Sequence, residues 1–340
     1  MKKVFVTTLF VMVAFAMLIC VNTAESKDIE LKFATPFSPK HTMQVKVFEP
    51  WAEKISKETN GQVKVTFFPG GALGKPSDLY DLAEKGIADI IYILHDYTPG
   101  RFPMTETFSL PFMTPTATKT SRAMWKTYEK FPEFQKEYDK VKLLALFCHP
   151  GGHFHTVKKP IRTIDDFKGM KIRTANPSVT EALKIFGAVP VTTPVTETYT
   201  ALERGVVDGT VVPWEGLGIF KLDDLTKYST LASLYTMTMM VVMNKNKWES
   251  LPAEVKKVVD ANSGLTLSLW CGKVYDETDA PFKSQAMQKG TQIIELSPAD
   301  IKKLQDLTMP LREQWVKNME SRGFPGQAVL DAALRFLQER

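Results

Sequence analysis

The chain has 340 residues, 44% hydrophobic and 24% charged, with 43 lysines and arginines against 38 aspartates and glutamates and a formal net charge of +5. That length leaves room for one large or two medium domains with sizeable cores, and the apolar content excludes a disordered chain. The weak, dispersed positive balance points to no nucleic-acid partner, and three cysteines are too few for a disulfide-stapled scaffold.

Lys2 and Lys3 precede an uncharged run from Val4 to Val21, and the small residues Thr23, Ala24 and Ser26 follow. A basic end, an apolar stretch and small residues form a secretory signal peptide. Residues 1–26 are the expected leader, cleaved after Ala24 or Ser26; the second site puts Ala24 at −3, where a small residue belongs. The apolar run is just long enough to span a bilayer as a retained anchor, but the small-residue region directly after it favours cleavage and export. Bulky Leu18 and Ile19 before Cys20 do not match a lipoprotein attachment site. Losing Lys2 and Lys3 lowers the charge to +3, or to +4 when Glu25 also leaves. Cys148 and Cys271 remain, to pair in an oxidising compartment or to lie in the core as two thiols.

From Glu30 onward, short apolar runs alternate with amphipathic stretches, the pattern of α/β layering. ELKFAT (30–35) reads as a strand, and His41 to Lys57 as a helix with Met43, Val47, Trp51 and Ile55 four apart, stopped by Asn60-Gly61. QVKVTFF (62–68) alternates as a second strand, Pro76 opens a helix that Gly86 ends, and IADIIYIL (87–94) is a buried strand whose apolar run from Ile90 to Leu94 is interrupted only by Tyr92. The Pro- and aromatic-rich stretch 98–115 reads as a surface loop, Thr116 to Tyr138 as a helix, and KLLALFC (142–148) as a strand. A second series begins near Gly151, with strands at 153–159, 169–174, 188–193 and 206–213. Its helices start at Asn176-Pro177, or at Ser178 with Glu181, and run again from Pro194 to Arg204. A mixed β segment (229–244) precedes helices at about 250–289, 298–322 and 326–338. No repeat or flexible linker divides the two series, so the chain is expected to cross between two lobes more than once.

FPGGALGKPS (68–77) looks like a phosphate loop, yet Pro69 stands where that loop needs glycine and Pro76 where it needs Ser or Thr. It reads as a turn into a helix, and no cofactor is expected. HPGGHFH (149–155) holds three of the five histidines. On a strand His153 and His155 face one side, so a metal pair, polar pocket lining and ordinary hydrogen-bonded histidines are all open readings. There is no GxSxG elbow and no HExxH, and Asp165-Asp166 and Asp223-Asp224 lie in turn-like contexts. No catalytic constellation or metal site emerges, and the chain reads as a non-enzyme.

Arg173 is the most informative residue. GMKIRTANPSVTEAL places it at the carboxyl end of a strand just before a helix amino terminus, the crevice where open α/β sheets bind ligands. Its planar fork matches a carboxylate, and the helix terminus adds positive potential. Standing alone, it would read as a surface arginine in a routine salt bridge.

It has company. The run from Asp165 to Pro213 carries Lys168-Gly169-Met170-Lys171-Ile172-Arg173, Gly187-Ala188, Tyr199 with Ala201-Leu202, and Gly205-Val206-Val207-Asp208-Gly209. FPGGALG (68–74), the Gly86–Asp89 turn, LPFM (110–113) and WESLPAEV (248–255) flank it. In order, and over nearly the whole mature chain, this series resembles the DctP-type solute-binding proteins of tripartite ATP-independent periplasmic (TRAP) transporters. The resemblance implies an α/β, two-lobed, type II-like periplasmic-binding-protein clamp, with crossover segments and a long lobe-spanning helix, that closes on its ligand about a hinge. The first lobe would take 27–150 plus about 239–280, and the second 151–238 plus about 281–340. A periplasmic monomer is expected, with a small organic acid and the transporter's membrane subunits as its partners.

Arg173 falls at the family's carboxylate-holding arginine. Where many sugar-acid binders of the family carry a second arginine, this chain has His153, and the familiar asparagine before Pro213 is Val212. Trp214 and Glu215 follow. A lost cation and amide beside a gained indole imply a monocarboxylate with an apolar or aromatic body. His153 would supplement Arg173 and Trp214 would pack on the body, unless Trp214 fills the lobe core instead. Phe37, Phe68, His95, Asp96, Tyr199, Tyr235 and Leu110-Pro111 are further candidates at sheet ends. A sugar acid or C4-dicarboxylate would need more polar lining. The rival from another class is a periplasmic metal protein or hydrolase using His149, His153 and His155.

Overall fold

The computed structural model describes residues 28–339. The leader expected at 1–26 lies outside the described residues. No helix among them is long and apolar enough to cross a membrane.

The described strands form two sheets. β1 (Ile29–Ala34), β2 (Val63–Phe68), β3 (Ile90–Leu94) and β4 (Val141–Cys148) join the later β10 (Thr238–Asn244) in the order β2-β1-β3-β10-β4. β1 is parallel to β2 and β3, whereas β10 runs antiparallel between β3 and β4. β3 and β10 are buried along their whole lengths, as their unbroken runs require. The second sheet takes β5 (His153–Thr156), β6 (Lys171–Thr174), β7 (Val189–Thr192), β8 (Gly209–Val212), β9 (Tyr228–Leu231) and β11 (Gln292–Glu295), ordered β11-β9-β5-β8-β6-β7.

Proline and glycine cut the expected helices into shorter ones. The helix expected over 116–138 breaks into Ala117–Lys130 and Pro132–Lys136. Proline disfavours helical geometry in the residue before it, and Phe131 is extended at φ −113° and ψ 113°. The helix expected at about 250–289 becomes Lys245–Ser250, Ala253–Ala261 and Leu265–Gln288, divided at Pro252 and at Gly264 with φ +65°. The helix Trp214–Ile219 and the edge strand β11 are absent from the sequence reading.

The chain crosses between sheets at residues 149–152 and returns at 232–237. The two crossings are laced together: Gly152 N–H donates to the Tyr235 carbonyl (2.8 Å) and Leu234 N–H to that of Gly152 (3.0 Å). Only glycine fits there, because a Cβ on Gly152 would lie 2.3 Å from Tyr235 Cε1, and one on Gly151 2.7 Å from Ser233 Cβ.

Helix Leu265–Gln288 is the long lobe-spanning element; at 1.5 Å per residue it is about 36 Å long. It packs on Ala117–Lys130 and β4 in the first lobe and on Trp214–Ile219 in the second. Two carboxylates near one turn of it cap a helix in each lobe. Asp276 accepts from Ala117 and Thr118 N–H (2.8 and 2.9 Å), and Asp279 accepts from Trp214 N–H (3.1 Å).

One boundary needs correcting. The sequence reading leaves 281–340 with the second lobe, but helix Pro298–Ser321 starts against the second-lobe helix Pro177–Ile185 and ends in the first. There Arg312 Nη2 donates to the Pro111 carbonyl (2.8 Å) and Trp315 Nε1 to that of Pro103 (3.3 Å). The last helix, Gly326–Gln338, then buries Val329, Leu330, Ala333 and Leu337 in the first-lobe core beside Ala117–Lys130. Cys148 and Cys271 are buried free thiols, and burial pushes Cys148 up to about 12.

Candidate ligand-binding site

Arg173 stands one residue from the end of β6, and the helix Pro177–Ile185 begins just beyond it, its Asn176 cap accepting from Val179 N–H (2.9 Å). β7 runs parallel beside β6, which brings the Thr193 carbonyl to the guanidinium. That carbonyl accepts from both Nε (2.9 Å) and Nη2 (2.5 Å) of Arg173. The side chain is 1% exposed and forms no ion pair among the described residues. Burial pulls its pKa below the ordinary value, opposed by Tyr235, Tyr97 and Glu197 nearby. A buried cation without a counter-charge costs several kcal/mol, and an incoming carboxylate offsets that cost.

Arg173 faces a cavity between the lobes with a volume of about 50 Å³. The first lobe supplies an aromatic wall: Phe37 stacks on His41 at 4.5 Å and tilts against Tyr92 at 5.2 Å, while Phe220 of the second lobe comes within 6.3 Å of Phe37. Tyr92 and Tyr275 place their hydroxyls 3.2 Å apart, and Tyr92 also donates to Met239 Sδ at 3.1 Å. Tyr235 donates to the Val211 carbonyl (2.9 Å), so it offers the cavity its ring. Val212 and Glu215 complete the second-lobe side. His41 Nδ1 accepts from Met43 N–H (3.2 Å), and burial lowers its pKa to about 3, so the ring is neutral with its proton on Nε2. Glu215 is 3% exposed, its Oε1 has no hydrogen-bond partner, and burial raises its carboxyl to about 7 against the smaller opposing pull of Thr42.

Of the residues expected to bind ligand, Arg173, Phe37, Val212 and Tyr235 line this cavity. The others lie elsewhere. His153 Nδ1 accepts from Ala232 and Ser233 N–H (3.3 and 3.2 Å), and its ring packs on Trp214 at 5.5 Å. Trp214 also lies 5.2 Å from the His155 ring, so it fills the second-lobe core. His95 Nε2 pairs with the Tyr138 hydroxyl (2.8 Å), and Asp96 accepts from Asn176 Nδ2 across the lobes at 3.5 Å. Tyr199 packs against the second-lobe core and Phe68 against the first. His41, Tyr92, Glu215 and Tyr275 line the cavity although sequence reasoning missed them. Tyr92 carried a signal, as the one polar break in an apolar strand, but nothing local marks Tyr275.

The three clustered histidines are bound into the backbone. His149 Nε2 accepts from Met237 N–H (3.1 Å), while His155 pairs with Ser229 Oγ (2.7 Å) and the Val212 carbonyl (3.1 Å). Burial keeps His149, His153 and His155 neutral, lowering them to about 4, 4 and 3. No group of three metal-binding side chains occurs among the described residues.

The family model of the bacterial extracellular solute-binding proteins, family 7 (DctP), matches residues 33–318. The chain belongs to the DctP family of TRAP solute-binding proteins. A marine-metagenome TRAP solute-binding protein specific for aromatic acid ligands, solved with metahydroxyphenylacetate, is 37% identical with a TM-score of 0.88, over 91% of this chain and 98% of that one. One from Rhodoferax ferrireducens, solved with copurified benzoate, is 35% identical with a TM-score of 0.88, over 91% and 97%. The outer membrane transporter protein TsaT of Comamonas testosteroni is 30% identical over 91% of each chain. The α/β clamp and the non-enzymatic role implied by the resemblance hold: DctP-family proteins bind solutes and catalyse nothing.

Proposed function

We propose that this DctP-family protein captures a small aromatic monocarboxylate in the periplasm and delivers it to the membrane subunits of a TRAP transporter. One observation carries the reading: the cavity joins a single buried, uncompensated guanidinium to walls of aromatic rings. The carboxylate would take the free face of the Arg173 fork, and the ring would lie among Phe37, Tyr92, Phe220 and Tyr235. A ligand so placed touches both lobes at once and therefore favours their closed arrangement. Relatives solved with benzoate and with metahydroxyphenylacetate support the ligand class, and the leader expected from the sequence of residues 1–26 supports the compartment. A C4-dicarboxylate would find no second cation on these walls, only the neutral His41 Nε2–H and the Glu215 carboxyl, for its second charge.

Thermal shift with benzoate, phenylacetate, indole-3-acetate, succinate and sialic acid tests this. At a hundred times Kd, a ligand stabilises by about 2.7 kcal/mol, which is about 5 °C for a chain of this size. The aryl and indolyl acids should give that shift at lower concentration than the other two. Tighter binding of succinate or sialic acid overturns the reading.

A further inference from the structure

Glu215 has no place in the function above. It opens the helix Trp214–Ile219 beyond the end of β8, whose Thr210 sits opposite Arg173 in the parallel β6–β8 register. Arg173 and Glu215 line the same cavity, and the two side chains form no ion pair. Glu215 lies instead with the Tyr92–Tyr275 hydroxyl pair and Thr42, which all act on its titration or feel it, together with Asp279. Glu215 lines the cavity, and its Oε1 is buried and accepts nothing. His41 Nε2, nearby on the first-lobe wall, makes no hydrogen bond with any described residue.

A buried carboxyl oxygen without a donor is costly to leave unmet, and it discriminates sharply between ligands that supply a donor and ligands that do not. The ligand's carboxylate cannot meet that need, because it carries no proton and is drawn to Arg173. Carbon cannot meet it either. A hydroxyl can. We propose that Glu215 is a specificity-determining residue that receives a ring hydroxyl, so that the preferred ligand is a hydroxyaryl carboxylate held between Arg173 and Glu215. This rests on the aromatic-carboxylate reading and goes one step past it. A Glu215 carboxyl raised to about 7 is partly protonated at neutral pH, so it can donate to the hydroxyl as well as accept from it, and it adds little negative charge beside a ligand anion.

Calorimetric titration of the protein purified from the periplasm, with benzoate, 3- and 4-hydroxybenzoate and 3- and 4-methoxybenzoate, tests this. The better hydroxybenzoate should bind about tenfold tighter than benzoate, and neither methoxy analogue should match it. Glu215→Leu should erase that ratio, so that hydroxybenzoate and benzoate bind the variant alike, and Glu215→Gln, which keeps an acceptor and a donor, should retain a hydroxyl preference. A wild-type ratio near one overturns the inference without any variant, as does a tenfold ratio that survives Glu215→Leu. In both cases benzoate still binds and the aromatic-carboxylate reading stands. If no aryl carboxylate binds the wild type, both fall together.

Discussion

Replacing Arg173 by methionine removes the only positively charged side chain that lines the cavity among the described residues, and it keeps much of the aliphatic stem. In the complex, the guanidinium and the ligand carboxylate form a desolvated, charge-assisted pair. Truncating one member of such a pair costs about 2–5 kcal/mol, or about 30- to 5,000-fold in Kd. Nε and one N–H of Nη2 are already engaged by the Thr193 carbonyl, which leaves one side of the fork for ligand. A loss of about 300-fold, inside that range, is therefore expected. A ligand at a hundred times the original Kd would then stabilise the variant by only about 0.2 kcal/mol, and its thermal shift should vanish.

The free protein supplies the sharper discriminator. Methionine loses the two bonds to Thr193, about 1.5–3 kcal/mol each for a charged donor, but it also relieves the several kcal/mol of desolvation borne by an unpaired buried cation. These nearly cancel, so the ligand-free Tm should move by less than about 5 °C. Arg173→Lys keeps a charge without the fork and should bind about tenfold more weakly than wild type. Benzoate affinity within threefold of wild type in Arg173→Met refutes the anchor role. A ligand-free Tm lower by about 10 °C shows instead that the arginine holds the fold together.

Stability should be flat from about pH 5 to 6 and should fall from about 6.5 to 8. Asp96 and Glu215 at about 7 and Glu137 at about 8 keep protons that the unfolded chain sheds near pH 4, so the folded state binds more protons and loses stability as pH rises through that window. The five buried histidines, lowered to about 3–4, push the opposite way, but only below the unfolded value of 6.5. A Tm that climbs between pH 6.5 and 8 contradicts this, and Glu137→Gln should flatten the decline. Gly152→Ala forces a methyl to 2.3 Å from Tyr235 Cε1, so Tm should drop by about 2–6 °C and ligand affinity should weaken with the displaced ring; an unchanged variant would show the crossing to be loose.

What the sequence discloses follows from how local the cause is. β3 and β10 are legible because burial on both faces demands unbroken apolar runs, and Arg173 is legible because a strand end followed by a helix cap fixes its crevice. The break at Phe131 is local too, set by Pro132, but hydrophobic periodicity runs through it; the return of 326–338 to the first lobe depends on packing between distant elements. His153 shows the limit most plainly. Its strand parity and its register opposite Val212 suit a ligand contact, yet its ring turns to accept N–H groups from the returning crossing, which lies far along the chain.

Tyr92, Glu215 and Tyr275 escaped notice for a related reason. In the closed arrangement the cavity walls are as buried as the core, so hydrophobic periodicity counts them as core. A core residue satisfies its polar atoms within the protein, whereas a site residue leaves one for the ligand. Tyr92 and Tyr275 meet each other, and His155 meets Ser229 and Val212. Arg173 keeps part of its fork free and Glu215 keeps Oε1 free. Among the groups that line the cavity, a free polar atom is what supports the ligand-holding roles proposed for Arg173 and Glu215, and it exists only once both lobes are in place.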